Sequence, residues 1–270
     1  MRADAWGDGD RYEPYVGRWS RLVAAEFLDW LDVPAGSRWL DVGCGTGALT
    51  ETILTRAQPS KVRGVDTSED LVSYAEKQVG DPRFEVQIGD ARSLPFEDRS
   101  FDAVVSGLVL NFIPDQGGAA KELRRVAVEG GTVGAYVWDY AGGMQMMRYF
   151  WDAAAALDPS ARHSDEGERF GEIASLKGLG GLFDVAGFSD VRTRAIDVPT
   201  IFRDFDDFWT PFLSGQAPAP AYCMSLDEPV RAELRALLKV RLPAKADGTI
   251  RLTARAWAVR GTIATFLDKP

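Results

Sequence analysis

The sequence has few of the residues that build disulfide frameworks and metal centres. Its 270 residues include two cysteines and one histidine. Cys44 and Cys223 lie in unrelated contexts without metal-ligand spacing, and His163 is a lone histidine that completes no known ligand pattern. We therefore expect neither a disulfide framework nor a metal site.

Cationic clusters and long apolar runs are missing as well. The net charge is −9, and the densest cationic run, Leu-Arg-Arg at 123–125, is too short to make a phosphate-binding face. We interpret this run as the solvated face of a helix. No stretch reaches the roughly 18 apolar residues of a membrane helix, and the acidic start MRADAWGDGD has no apolar leader. These features predict a cytoplasmic protein without a nucleic-acid partner or membrane insertion, and they leave its oligomeric state open.

The stretch WLDVGCGTGALT at 39–50 joins an apolar run to a glycine-rich turn. The apolar run is typical of a buried parallel strand, and the helical pattern resumes after the turn. Glycines let a ligand approach the backbone, and the free amides at a helix start favour nucleotide binding. The spacing of Gly43, Gly45 and Ala48 also fits NAD-binding folds, so the loop alone does not choose the cofactor.

Asp41 and Asp90 favour S-adenosylmethionine over a dinucleotide, whereas Asp66 fits both cofactors. Asp41 places a carboxylate beside the turn, where it would repel a pyrophosphate and accept hydrogen bonds from an ammonium group. Asp66 closes the second predicted strand and can accept from both ribose hydroxyls, although an N-cap is its alternative role. Asp90 can accept from an adenine amino group while the Ala91 amide donates to the ring, although Asp90 is also a common turn residue.

Four motifs follow one another in the sequence: DVGCGTG at 41–47, GVD at 64–66, GDARSLPFEDRSFDAVVS at 89–106 and EGGTVGAYVW at 129–138. In this order they resemble the class I S-adenosylmethionine-dependent methyltransferases, in the small-molecule branch related to ubiquinone and menaquinone biosynthesis. The resemblance implies an α/β fold, a doubly wound and mostly parallel seven-stranded sheet of Rossmann-like type with a helical cap insertion. It implies S-adenosylmethionine as cofactor and further contacts at Cys44, Thr67 and Ser106. It also implies that Tyr15 and Arg18 contact the cofactor's carboxylate end, helix capping and aromatic packing being their alternative.

The chain is predicted to have four segments. Residues 1–35 form a helical segment over the cofactor, with an amphipathic helix from Tyr12 to Leu31, and residues 36–140 form the cofactor-binding core. The fifth strand is predicted at Thr132–Trp138, after a Glu-Gly-Gly turn. Residues 141–187 form an insertion whose apolar stripe at 144–151 is more often core than substrate box, yet this insertion is our candidate lid and acceptor pocket. Residues 188–270 add antiparallel strands and an aromatic, proline-rich pocket wall.

Transfer of a methyl group from a sulfonium needs an acceptor held in line and water excluded. A general base is optional, and His163, Asp139 and Tyr140 are the weak candidates for it. Asn111, after the fourth strand, faces the methyl group or the acceptor on one interpretation and caps or packs on the other. The expected function is methyl transfer to a small, partly apolar metabolite. The alternatives are an NAD(P)-dependent oxidoreductase and a non-catalytic cofactor-binding protein.

Overall fold

A computed structural model of the chain describes residues 17–215 and 217–265, so the predicted contact Tyr15 lies outside the described residues. One seven-stranded sheet has the order β3-β2-β1-β4-β5-β7-β6. The chain moves outward from β1 in both directions, which is the doubly wound arrangement predicted from the sequence. The strands are β1 (Arg38–Val42), β2 (Lys61–Asp66), β3 (Phe84–Ile88), β4 (Phe101–Gly107), β5 (Ala127–Trp138), β6 (Ser189–Phe202) and β7 (Ile250–Thr262).

The sheet is parallel from β3 to β5 and antiparallel where β7 joins it. β1 pairs in parallel with β2 and β4, as do β2 with β3 and β4 with β5. The amide of Gly130 donates to the carbonyl of Ile263 at 2.9 Å, and the amide of Asp139 to that of Arg255 at 2.8 Å. Because the partner's number falls as β5 advances, β7 runs antiparallel to it. The predicted antiparallel finish is therefore confirmed.

Helices connect the strands. Within the described residues each one is too short or too polar to cross a membrane. The predicted first helix begins at Arg18, and its residues 12–16 lie outside the described part of the chain. The helices are α1 (Arg18–Leu31), α2 (Ala48–Arg56), α3 (Glu69–Val79), α4 (Gln116–Val126), α5 (Gln145–Leu157), α6 (Glu166–Phe170), α7 (Leu176–Ala186), α8 (Phe205–Trp209), α9 (Pro218–Ser225) and α10 (Glu228–Arg241), with 3₁₀ turns at Leu110–Phe112, Pro159–Ser164 and Thr210–Leu213.

The strands at the centre of the sheet are buried on both faces. Leu40 in β1 and both Val104 and Val105 in β4 have no exposed surface. Such strands read as continuous apolar runs because helices cover both sides of a parallel sheet. Their carboxyl ends meet at one edge of the sheet, the edge where open α/β sheets bind ligands.

The start of β5 differs from the sequence prediction. The strand begins at Ala127 rather than Thr132, and the predicted Glu-Gly-Gly turn lies inside it. Gly130 takes a φ of +74°, and the register between β4 and β5 shifts between Phe101 and Ala103. The glycines therefore form an irregularity within the strand instead of a separate turn.

The cationic run at 123–125 is partly solvated: Arg124 is exposed, as the sequence interpretation expects, whereas the side chain of Arg125 is half-buried. Leu123 is fully buried, and Arg124 donates to the carbonyl of Gly187 at 3.0 Å. The guanidinium of Arg125 ties α4 to the loop between β3 and β4 through three partners, Asp98 and the carbonyls of Leu94 and Phe96. It also pairs with Glu122 within α4. The two cations therefore lie at the surface and hold α4 to neighbouring segments.

The chain divides into two compact units. The first comprises Ser20–Val137, Glu172–Ile196 and the described residues from Ala256 onward. The second comprises the described residues up to Trp19, then Trp138–Gly171 and Asp197–Arg255. The four segments expected from the sequence have other limits and stay predictions about function.

Aromatic and methionine side chains form the core of the second unit. The ring of Phe150 stacks on Phe212 at 4.4 Å and meets Trp151 edge to face at 5.1 Å. The apolar stripe noted in the sequence contributes to this core through its buried members Met144, Met146, Met147, Phe150 and Trp151. In this unit the stripe therefore acts as packing, and the aromatic residues of α8 and the following turn join it.

Candidate functional site

The glycine loop after β1 bends tightly against the end of β2. Its glycines all take left-handed conformations, with φ of +73°, +52° and +91° at Gly43, Gly45 and Gly47. The amide of Gly43 donates to the carbonyl of Val65 at 2.7 Å. A Cβ on Gly43 would lie 2.6 Å from Val109, whereas a Cβ on Gly45 would meet nothing within 4 Å. The loop is thus closely packed at its start and open at Gly45.

Asp66 joins three strand ends at this loop. One carboxylate oxygen accepts from the amide of Gly45 and the other from the amide of Ser68, both at 3.0 Å. Its own carbonyl accepts from the amide of Gly89, at the end of β3, at 2.9 Å. The side chain that caps α3 is Ser68, which accepts from Leu71. The alternative role of Asp66 as the N-cap of α3 is therefore wrong.

Asp41 is a carboxylate buried at the end of β1. One oxygen accepts from the hydroxyl of Thr50 at 2.8 Å, and the other is buried without a partner among the described residues. Burial raises the pKa of Asp41 to about 7, with a further increase from the nearby Asp66 charge. A cation brought to this free oxygen would stabilise the ionised form.

The other predicted contacts of the loop region differ in exposure. Cys44 is buried against Gly64, and burial raises the pKa of its thiol well above the usual range. Thr67 is exposed. Ser106 is fully buried and its hydroxyl donates to the carbonyl of Val42 at 2.9 Å, which links β4 to β1. A buried thiol is chemically inert, so Cys44 contributes its small size.

Asp90 follows β3 and is held by its own loop. Its carboxylate accepts from the backbone amide of Arg92 at 2.8 Å and from the guanidinium of Arg92 at 2.6 Å. The Arg92 side chain is about half exposed and lowers the pKa of Asp90. Ala91 is half-buried beside it. A ligand that uses Asp90 would have to share the carboxylate with Arg92 or displace this exposed side chain.

Arg18, at the start of α1, belongs to the second unit. Its guanidinium donates to Asp207 at 3.1 Å and lies over the rings of Trp19 and Phe202, 4.4 and 4.9 Å from their centroids. Its Nε and Nη2 atoms are buried and find no acceptor in the part of the chain that the structure describes. These two donors could bind an anionic group.

The three weak candidates for a general base are engaged locally. Both carboxylate oxygens of Asp139 accept from backbone amides, at 3.1 Å from Gly142 and 2.7 Å from Gly143. Tyr140 is buried with its ring 5.9 Å from that of Phe170. His163 is exposed, and its Nδ1 lies 2.9 Å from the carbonyl of Ser160. Asp139 therefore closes a turn, and a catalytic role for any of the three stays a prediction.

Sequence reasoning missed Thr50 and a buried acidic pair. Thr50 lies in the first turn of α2, and nothing in the sequence marks it as the partner of Asp41. In the second unit Glu166 is buried and accepts from the indole N–H of Trp151, while the neighbouring Asp165 pairs with Arg148. Burial raises the pKa of Glu166 to about 7. Across residues 17–215 and 217–265 no group of three or more His, Cys, Asp or Glu could hold a metal ion.

Comparisons with known proteins identify relatives of this chain. A family model described as a methyltransferase domain matches residues 40–134. Demethylmenaquinone methyltransferase of Bacillus subtilis is 31% identical over 189 residues, which cover 60% of this chain and 75% of that protein. An uncharacterized 37.1 kDa protein in transposon TN4556 of Streptomyces fradiae is 36% identical over 124 residues, 44% of this chain and 36% of that protein. The match thus spans about a third of the second relative.

A solved structure shares the fold. The Haemonchus contortus phosphoethanolamine N-methyltransferase 2 in complex with phosphomonomethylethanolamine and S-adenosylhomocysteine has a TM-score of 0.59 and 17% identity, over 94% of this chain and 58% of that one. At this identity the likeness concerns the fold alone, and the sequence relatives carry the assignment. The chain belongs to the family of S-adenosylmethionine-dependent methyltransferases that includes demethylmenaquinone methyltransferase.

Proposed function

We propose that the protein transfers a methyl group from S-adenosylmethionine to a small, partly apolar metabolite. The observation that carries this proposal is the free, buried oxygen of Asp41 at the glycine loop. Such an oxygen suits the ammonium group of an amino acid tail and opposes a pyrophosphate. The relatives support the methyltransferase and give no support to the oxidoreductase or to the non-catalytic binding protein.

The residues of the first unit would hold the cofactor as follows. Asp66 accepts from the ribose hydroxyls, with Thr67 beside it, and Asp90 with Ala91 reads the adenine. Asp41 accepts from the ammonium group. The backbone at Gly43, Cys44 and Gly45 approaches the ligand, and the buried Ser106 supports the end of β4. When bound, S-adenosylmethionine supplies a methyl group already activated by its sulfonium, so these residues act by positioning.

Other parts of the proposal start from the sequence. Arg18 and Tyr15 are proposed to bind the cofactor's carboxylate, and the two unpartnered donors of Arg18 support an anionic ligand there. Residues 141–187 stay our candidate lid and acceptor pocket. The net charge of −9 supports a small-molecule acceptor over a nucleic acid, and a cytoplasmic location stays a prediction. The names of the relatives make demethylmenaquinone a first acceptor to test.

Calorimetric titration with S-adenosylmethionine, S-adenosylhomocysteine and NADPH in parallel tests the cofactor. We expect micromolar binding of the two sulfur compounds and none of the nicotinamide. Binding of NADPH alone would refute the proposal and return the chain to the oxidoreductase alternative.

The variant Asp66→Ala tests the ribose contact. We expect its affinity for S-adenosylmethionine to fall at least tenfold, about 1.4 kcal/mol, because two hydroxyls lose a charged acceptor. Asp66→Asn keeps one oxygen for the backbone amides and separates loss of the ribose contact from disorder of the loop. Asp70 is an exposed acid in the first turn of α3, and Asp70→Ala is therefore the matched control, which should bind S-adenosylmethionine normally. Unchanged affinity in both Asp66 variants would remove this residue from the site.

A further inference from the structure

The segment after β4 contains an amide for which the described fold has no partner. Asn111 is 4% exposed, and both its Nδ2 and Oδ1 atoms are buried without a hydrogen bond to any described residue. An unpaired buried donor and acceptor reduce the stability of the fold. An apolar side chain of similar size would avoid this loss, so internal packing gives no reason for the amide.

The backbone brings Asn111 to the same sheet edge as the glycine loop. Directly after β4, Leu108 takes a φ of +64°, a left-handed conformation that is unfavourable for a bulky side chain. Val109 packs closely on Gly43: a Cβ added to Gly43 would lie 2.6 Å from the Cγ2 atom of Val109. Asn111 follows two residues later in the 3₁₀ turn Leu110–Phe112. A strained turn therefore holds the amide at the carboxyl end of the central strands, where open sheets bind ligands.

The chemistry of an amide limits the group that it would bind. Asparagine offers a donor and an acceptor without charge and cannot take up a proton. It therefore suits a neutral hydroxyl, which uses both functions at once, better than a carboxylate or an ammonium ion. The adjacent residues Val109, Leu110 and Ile113 are aliphatic, which fits an acceptor that is apolar apart from this group.

We propose that Asn111 binds the methyl acceptor, with its side-chain amide hydrogen-bonded to a neutral hydroxyl of that molecule. This inference rests on the proposed methyl transfer. Asn111 orients the hydroxyl and does not deprotonate it. The predicted general bases therefore play no part in this contact, and the cofactor binds independently of the amide.

The test exploits the fact that Asn111 is the only asparagine in the sequence. Selective ¹⁵N labelling of asparagine side chains gives one nitrogen with a pair of proton signals, recorded with the protein saturated by S-adenosylhomocysteine. The matched probes are phenol and toluene, because phenol carries a hydroxyl group where toluene carries a methyl group. We expect phenol to shift this signal and to bind at least fivefold more tightly than toluene. In Asn111→Leu the preference for phenol should fall below twofold, while affinity for S-adenosylhomocysteine stays within twofold.

Two outcomes would overturn the inference. Equal binding of phenol and toluene to the wild-type protein would show that the amide does not recognise a hydroxyl. A tenfold loss of S-adenosylhomocysteine affinity in both Asn111→Leu and Asn111→Ala would place the amide in the cofactor site instead. The wild-type comparison needs no variant, so a folding defect does not affect it. Failure of the proposed function is distinct, because it would appear as no binding of either sulfur compound.

Discussion

Replacing Asp41 by asparagine removes the charge buried at the end of β1 and keeps an oxygen that can accept from Thr50. The same change should stabilise the ligand-free protein at high pH and weaken its binding of S-adenosylmethionine. These opposite effects follow from one feature, the carboxylate oxygen that is buried without a partner among the described residues. In the free protein its charge is unfavourable, and in the complex an ammonium group would neutralise it.

The effect on stability can be worked out from the pKa of Asp41. Burial raises this pKa from 3.8 to about 7 in the folded protein, so the folded state binds the proton more tightly than the unfolded state. Stability is therefore lost as pH rises from about 4 to about 7, and the loss amounts to about 4 kcal/mol above pH 7. The variant avoids this loss but leaves an amide nitrogen unpaired, which costs about 1–3 kcal/mol at every pH. The difference in unfolding free energy between variant and wild type should change by about 3 kcal/mol between pH 5 and pH 8.

Urea unfolding of both proteins at several pH values measures this difference. Calorimetry in buffers of different ionisation enthalpy measures the proton that Asp41 should release when the wild-type protein binds S-adenosylmethionine near pH 6.5. At pH 8 we expect the variant to bind at least tenfold more weakly, about 1.4 kcal/mol. Thr50→Val removes a hydrogen bond that lowers the pKa of Asp41. In this variant the pH-dependent loss of stability should therefore be centred at a higher pH. Parallel stability curves for variant and wild type would refute this reasoning, as would equal proton release.

Two further predictions concern the glycine loop and the second unit. Gly45→Ala should cost about 1–2 kcal/mol of unfolding free energy from its left-handed backbone alone and should reduce S-adenosylmethionine affinity in calorimetry. Gly43→Ala should cost more, because its new Cβ would lie 2.6 Å from Val109; equal unfolding midpoints would contradict this. Burial raises the pKa of Glu166 to about 7, so the protein loses unfolding free energy as this group ionises between about pH 4.5 and pH 7. Glu166→Gln keeps an oxygen that accepts from Trp151. The melting temperature of this variant should exceed that of the wild type at pH 8 but not at pH 5. The same difference in melting temperature at both pH values would contradict this prediction.

The central strands and the glycine loop could be predicted because neighbouring residues specify them. β1 and α2 agree with the apolar strand and the helix that the sequence predicts on either side of the glycine-rich turn. The glycines at 43, 45 and 47 all require positive φ, which few other residues adopt. The seven-stranded sheet was implied by the resemblance of the four motifs to the class I methyltransferases.

Features that depend on the position of distant residues could not be predicted. β5 begins at Ala127 because that residue pairs with Phe101, a contact that the glycines at 130 and 131 conceal in the sequence. The ion pair of Arg125 could not be predicted because its acceptor Asp98 lies 27 residues away. The isolation of the Asn111 amide can be recognised only when every neighbour is in place. In each case the sequence does not show which distant residues surround the group.

The order of the sheet also constrains how the chain can fold during synthesis. β7 lies between β5 and β6, although it follows both in the sequence. The edge strand β6 therefore has no strand to pair with until residues 250–262 have left the ribosome. Until then its 14 residues present an unpaired ladder of backbone groups, the kind of edge that recruits other chains into aggregates. The last strand to be made thus completes the sheet and protects the strand before it, so nascent chains that stop short of β7 would depend on chaperones.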